Sequence, residues 1–249
     1  MADKLQTYIL SALAVLIVLT IHEFSHAYAA YKLGDPTARN MGRLTLNPLK
    51  HLDPIGALFM LFFHFGWAKP VPINARNFKN PKKGFAISAL AGPLVNIILA
   101  FVTSFIYILL FDAFSGIFPS VSSGFLRSVM INTLDFFYLF HAINLGIGIF
   151  NLIPIPPLDG SRILYVVLPP KYYFGVMKYE RKIYIGFIAW LLLGDVVKSL
   201  LLSIPFVAIN PVLSVIAHIF SLSDLLGALL TIISNGMMKL WLLLPFINL

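Results

Sequence analysis

His22, Glu23 and His26 stand within five residues of one another in AVLIVLTIHEFSHAYAAY, a largely apolar run from Ala14 to Tyr31. Positions four apart on an α-helix lie one turn apart on the same face. The two imidazoles can therefore hold one Zn²⁺, each at about 2.0–2.1 Å. Glu23 follows His22 directly, where a carboxylate can take a proton from a water bound at the metal. The pattern is H-E-x-x-H, a metalloprotease helix. Three fixed positions also arise by chance in soluble chains, but here the setting is apolar. Ionisable groups at membrane depth cost at least ~2.5–3.5 kcal/mol each on insertion scales. A divalent metal is the partner that offsets three of them together.

The rest of the chain supplies the membrane setting. Its 249 residues are 59% hydrophobic and 11% charged, with a mean hydropathy of +0.89. That balance excludes a soluble globular domain and fits an all-α polytopic membrane protein. We read one integral-membrane domain over residues 1–249, with a core over 8–168 and C-terminal spans over 183–249. With no cysteine, disulfides and thiolate metal ligands are excluded. No small-residue cleavage site follows the first apolar run, so it is read as a retained span and not a signal peptide.

The first span is expected over Tyr8–Tyr31, the second over Phe85–Phe111 and the third over Ser128–Ile153. Two or three more are expected between Ile183 and Leu249, where Asp195, Lys198, Pro205 and Pro211 interrupt the apolar run. Between the first two spans, MGRLTLNPLKHLDP and WAKPVPINARNF carry the signals of short strands or a β-hairpin near the membrane surface. The apolar run Ile55–Trp67 between them has 13 residues, too few to cross the bilayer, and reads as re-entrant or interfacial.

Charge gives the orientation. Of 18 Lys and Arg, nine lie between Lys32 and Lys83 and five between Arg162 and Lys182. Such loops face the cytoplasm, which places the N-terminus outside a cell membrane crossed several times. The positive charges flank spans and no recognition module is visible, so the net charge of +8 does not point to nucleic acid. His22 lies 14 residues beyond Tyr8, roughly 21 Å along a helix. In a hydrocarbon core of about 30 Å, the trio then sits in the cytoplasmic leaflet.

A catalytic zinc takes three protein ligands and keeps one position open. Without cysteine the third must be His, Asp or Glu. Asp159, in NLIPIPPLDG, lies just past the third span at the depth of His22 and His26. Pro154, Pro156 and Pro157 end the helix before it, and Gly160 permits a tight turn. Taken alone, an Asp here is more often the cap of a helix starting at Ser161 than a ligand; depth and the need for a third ligand reverse that. His51, Asp53, His64, Asp135, Asp195, Lys198 and His218 have no comparable motif. His141, in the third span, is expected to hydrogen-bond within the bundle.

HEFSH in the first span, AGPLVN (Ala91–Asn96) in the second and NLIPIPPLDG (Asn151–Gly160) after the third occur in order. This arrangement resembles the site-2 protease family of intramembrane zinc metalloproteases, peptidase M50, in its compact branch without PDZ or CBS domains. NPLKHLDPIG and WAKPVPIN are similar to that branch as well. The resemblance covers about residues 8–168. It implies one Zn²⁺ per chain on His22, His26 and Asp159, with Glu23 as general base. It also implies a role for Asn151 in positioning the substrate carbonyl or stabilising its oxyanion, and for Gly92, Pro93 and Asn96 in shaping the second span against the site, where plain packing is the alternative. The implied substrate is a membrane protein cut within or near its single transmembrane helix. An inactive metal-binding scaffold needs ligands but no base, and an ion transporter would show matched repeats; neither fits the sequence as well.

Overall fold

The computed structural model describes residues 2–56, 68–219, 221–245 and 247. Helix α1 (Ala2–Lys32) is followed by a single turn, α2 (Thr37–Asn40). Two long helices come next, α3 (Pro81–Ile117) and α4 (Gly124–Leu152). Two short ones, α5 (Gly160–Val167) and α6 (Pro170–Met177), lead to α7 (Glu180–Leu202). The chain then forms α8 (Pro205–Ile209), α9 (Pro211–Ile219) and α10 (Leu222–Trp241). Among the described residues, Leu5–Lys32, Pro81–Ser120 and Gly124–Leu152 are long and apolar enough to cross a membrane. Glu180–Leu191 and Leu193–Leu202 reach that length only as a pair bent by 47°.

Helices α1 and α3 run beyond the spans read from hydropathy at both ends, and α4 does so at its start. Polar caps and proline set the starts of α3 and α4. Asn80 accepts from the Lys83 N–H at 3.1 Å and Pro81 opens α3, a first-turn position that needs no N–H. Ser123 caps α4 through the Leu126 N–H. The connection between α3 and α4, expected over 112–127, shrinks to 118–123 because helix continues to the turn at Pro119.

Small residues let the helices approach. Ala14 and Val18 of α1 are fully buried against Phe140 of α4, with Ile143 and Ile147 beside them. The C-terminal helices are joined to this core. The Trp241 indole N–H donates to Ser104 Oγ at 2.9 Å, and its ring packs on Phe101 and Phe105. His141 is fully buried, with Nδ1 2.8 Å from the Ala100 carbonyl and Nε2 2.8 Å from Ser234 Oγ. It is the bundle hydrogen-bonding residue that the sequence suggested.

The region read as a β-hairpin forms no strand among the described residues; it contains one antiparallel bridge, between Leu52 and Ala68. The Lys69 N–H donates to the His51 carbonyl at 2.8 Å. Pro70 and Pro72 lack the N–H groups that would extend a ladder. Of the run read as re-entrant, residues 57–67 lie outside the described residues, and His64 with them.

Candidate metal centre

One turn of α1 presents His22 and His26 as expected. Their rings stand at 87° with centroids 4.6 Å apart, and both side chains are buried. His22 Nε2 lies 3.1 Å from Asp159 Oδ2, His26 Nε2 lies 3.0 Å from the same oxygen, and the two Nε2 atoms are 3.0 Å apart. Three potential ligand atoms thus meet at one point, from residues up to 137 positions apart in sequence.

The neighbours of the other ring nitrogens explain the convergence. His26 Nδ1 is 2.7 Å from the Ser88 carbonyl of α3. A carbonyl only accepts, so Nδ1 carries the proton and Nε2 presents a lone pair. His22 Nδ1 faces Asn96 Oδ1 at 3.2 Å, with the same consequence. Two imidazole lone pairs and a carboxylate oxygen then face one another in a buried site, which is repulsive unless a cation sits among them. Ligands of a tetrahedral zinc lie about 3.3–3.4 Å apart, given bonds of about 2.0–2.1 Å. The observed spacings fit such an ion, and the all-N/O donor set suits zinc.

Helix α3 supplies the wall behind the rings, and Gly92 makes room for them. A Cβ at this position would lie 2.4 Å from His26 Nε2 and 2.8 Å from His22 Cε1.

Asp159 reaches the site from an irregular segment. Helix α4 stops at Leu152, three prolines break the chain, and α5 resumes at Gly160. Asp159 holds the N-cap position of α5, yet its side chain makes no cap hydrogen bond. Its Oδ2 turns to the histidines, so the capping alternative is not the conformation adopted. Gly160 packs against the end of α4 so closely that a Cβ would lie 2.3 Å from the Leu152 carbonyl oxygen. Burial pushes the Asp159 carboxyl up, but the two imidazoles beside it outweigh burial and hold it well below its ordinary range. At neutral pH it is a carboxylate, the form that binds metal.

Glu23 points to the extended chain at 68–73. Its Oε2 accepts the Val71 N–H at 2.8 Å. Ala27, Ala38 and Val71 pack together beside it, with Leu44 against them. Arg43 Nη2 donates to the carbonyls of Lys69 at 2.6 Å and Pro70 at 3.4 Å. Asp35 anchors the far end: Oδ2 accepts the Asn74 N–H, and Oδ1 accepts the Thr37 N–H, the Thr37 hydroxyl and the Asn77 amide. The N–H groups at 69, 71 and 74 are therefore spent inside the protein. The Val71 bond is the one that holds the Glu23 carboxylate against this segment.

Asn151 is not joined to the cluster by a hydrogen bond: its amide donates to the Ile147 carbonyl of its own helix at 3.0 Å. His51 Nε2 bonds the Thr45 carbonyl at 2.8 Å, and Asp53 Oδ1 accepts the N–H groups of Ile55 and Gly56. Both organise the loop and lie outside the cluster. Sequence reading missed the Asn96 contact with His22, the Ser88 carbonyl, the Val71 N–H and Asp35. An asparagine in an apolar span is a visible signal for the first. The Gly-Asp-Pro turn after α1 is a signal for the last. The two backbone groups leave no trace in residue type.

Comparison with known proteins agrees with this chemistry. The profile of peptidase family M50 matches residues 10–193. The chain belongs to peptidase family M50. Over 174 residues it is 42% identical to the Bacillus subtilis protein named "Putative zinc metalloprotease YwhC", covering 68% of this chain and 75% of that one. It is 30% identical over 162 residues to a Mycobacterium tuberculosis protein similarly named, Rip2, of which it spans 56%. It is also 30% identical over 164 residues to the zinc metalloprotease MJ0392 of Methanocaldococcus jannaschii, of which it spans 36%. No solved structure matches the chain. This M50 chain is a zinc metalloprotease with membrane-spanning helices.

Proposed function

We propose that this M50 protease hydrolyses a peptide bond within or near the transmembrane helix of a single-span membrane protein, as a step of regulated intramembrane proteolysis. In this reading His22, His26 and Asp159 hold one zinc and Glu23 is the general base. The site opens toward the cytoplasm, the N-terminus lies outside, and the host is the cell membrane. The observation that carries the reading is the meeting of His22 Nε2, His26 Nε2 and Asp159 Oδ2 within about one ligand spacing, on a helix apolar enough to span a bilayer.

Bound zinc supplies Lewis acidity that polarises a carbonyl and acidifies water. The protein's own groups do the rest. Glu23, fixed through Oε2 by Val71, takes a proton from the attacking water and passes it to the leaving amine. Asn96 and Ser88 hold the imidazoles in the ligating tautomer. Asn151, at the last turn of α4, would turn its amide from Ile147 to the substrate carbonyl. The substrate helix must unwind locally, because its amides are otherwise closed in their own hydrogen bonds.

The test pairs metal content with cleavage. Wild type and Glu23→Gln, purified in detergent, should each hold one zinc. Against a panel of single-span substrates, the variant should cleave about 10²–10⁴-fold more slowly. Full activity in Glu23→Gln would remove Glu23 from its role. A wild type without zinc, prepared free of chelator, would refute the ligand set.

A further inference from the structure

We propose that α7 and α10 clamp the loop carrying Asp159, with Leu222 and Lys198 as positioning residues for that ligand. The inference rests on the ligand set proposed above, and both positioning residues lie beyond residue 193, where the M50 match ends.

The loop needs outside support. Between Leu152 and Gly160 its only internal backbone bonds are turns such as Ile155 N–H to Ile153 and Leu158 N–H to Ile155. Packing fixes it instead. Leu158, next to Asp159 in the chain, is buried together with Phe187 of α7 and Leu222 of α10. Trp190, Leu191 and Leu226 close around them.

A polar staple sets the position of Leu222. Its neighbours Ser221 and Ser223 donate to Asp195 Oδ1 of α7 at 2.6 and 3.0 Å. Lys198, one turn further along α7, reaches Asp224 at 3.0 Å and Asp195 at 3.4 Å. His218 adds a contact to Asp224 at 2.6 Å. The ammonium of Lys198 thus holds one carboxylate from each helix, close in sequence to Leu222 on α10. Without it, Asp195 and Asp224 would repel across the seam between α7 and α10. The bend in α7 divides the work: Phe187 and Trp190 before it pack on the loop side, and Asp195 and Lys198 after it carry the staple. The far end of α10 is tied to the core through Ser234 on His141 and Trp241 on Ser104. Leu222 is therefore placed from both ends of its helix.

The test uses the full-length chain in detergent, as wild type, Lys198→Met, Lys198→Arg and Leu222→Ala. Two readouts are zinc transfer to a chromogenic chelator and the visible spectrum after Co²⁺ replacement, which reports ligand number and geometry in the folded fraction. Lys198→Met and Leu222→Ala should release zinc about tenfold faster, the effect typical of lost support behind a ligand. Their Co²⁺ bands should weaken as Asp159 loosens, while Lys198→Arg should behave as wild type. Wild-type release and spectra in Lys198→Met would overturn the clamp. Should Leu222→Ala fail to fold, Lys198→Met at the half-buried staple decides alone. A wild type that binds neither metal would overturn the ligand set and the clamp together; unaltered variants of a zinc-binding wild type would overturn the clamp only.

Discussion

The two halves of the candidate metal centre are built by different means. His22 and His26 stand on a continuous helix, where 3.6-residue periodicity alone puts both rings on one face. Asp159 stands on a proline-broken loop, where no local periodicity applies and packing must do the placing. The helical half takes its spacing from α1 alone, and α3 only orients the rings. The loop half becomes a ligand only once α4, α5 and the C-terminal helices have come together. Substitutions that act on one half should therefore carry a different signature from those that act on the other.

Two glycines separate the halves most sharply. In Gly92→Ala the new methyl would press on His26 and His22, flexible side chains that can swing aside. Zinc binding should be lost while the helices and the melting temperature stay close to wild type. In Gly160→Ala the methyl meets the backbone carbonyls of Leu152 and Ile153, which cannot move alone. That variant should lose zinc and also lose about 1–3 kcal/mol of stability, the usual cost of overpacking. Elemental analysis and thermal melts on both variants make the comparison. A Gly160→Ala protein with normal zinc and normal melting would show that the loop adapts, and the contrast between the halves would collapse.

Asn96 sharpens the helical half. Its Oδ1 faces His22, while its Nδ2 is buried with no partner among the described residues. Replacing it with leucine removes an orphaned amide, so the fold should lose little. The tautomer of His22 should lose its anchor, and zinc affinity should fall about 10–100-fold. Competition against a chelator of known affinity measures this. An unchanged affinity would mean that the helix alone orients His22.

What was legible in the sequence follows the same division. H-E-x-x-H on a helix and the three long helices could be read because each depends on local spacing or local hydropathy. Asp159 could be named by elimination, but its side-chain direction could not, since an N-cap and a ligand look alike in sequence. The helix ends overran their apolar runs because Asn80, Ser123 and the adjoining prolines set them, not hydropathy. Among the described residues the hairpin region shows one bridge and no ladder, and Pro70 and Pro72 remove alternate donors there. The tail looked featureless because the pairings of Lys198 with Asp224 and of Ser221 with Asp195 join residues 26 apart.

Asp35 provides the mildest probe, and it tests a third support, the one behind Glu23. It is fully buried and gathers α2 and the 74–77 turn around one carboxylate. Burial pushes its carboxyl up, but the Thr37 hydroxyl, the Asn77 amide and the N–H groups of Asn74 and Thr37 together hold it below its ordinary value. A depressed carboxylate stabilises the fold fully above its unfolded pKa, and that contribution fades as pH falls through the lower folded value. Asp35→Ala leaves several of these donors without their acceptor and should cost about 1–3 kcal/mol at neutral pH. The gap between variant and wild type should hold down to about pH 4 and then narrow on further acidification. Melting curves across that range read it out. If the gap were independent of pH, Asp35 would be supporting the 71–77 segment by shape and not by charge, and the placement of Val71 against Glu23 would owe nothing to ionisation.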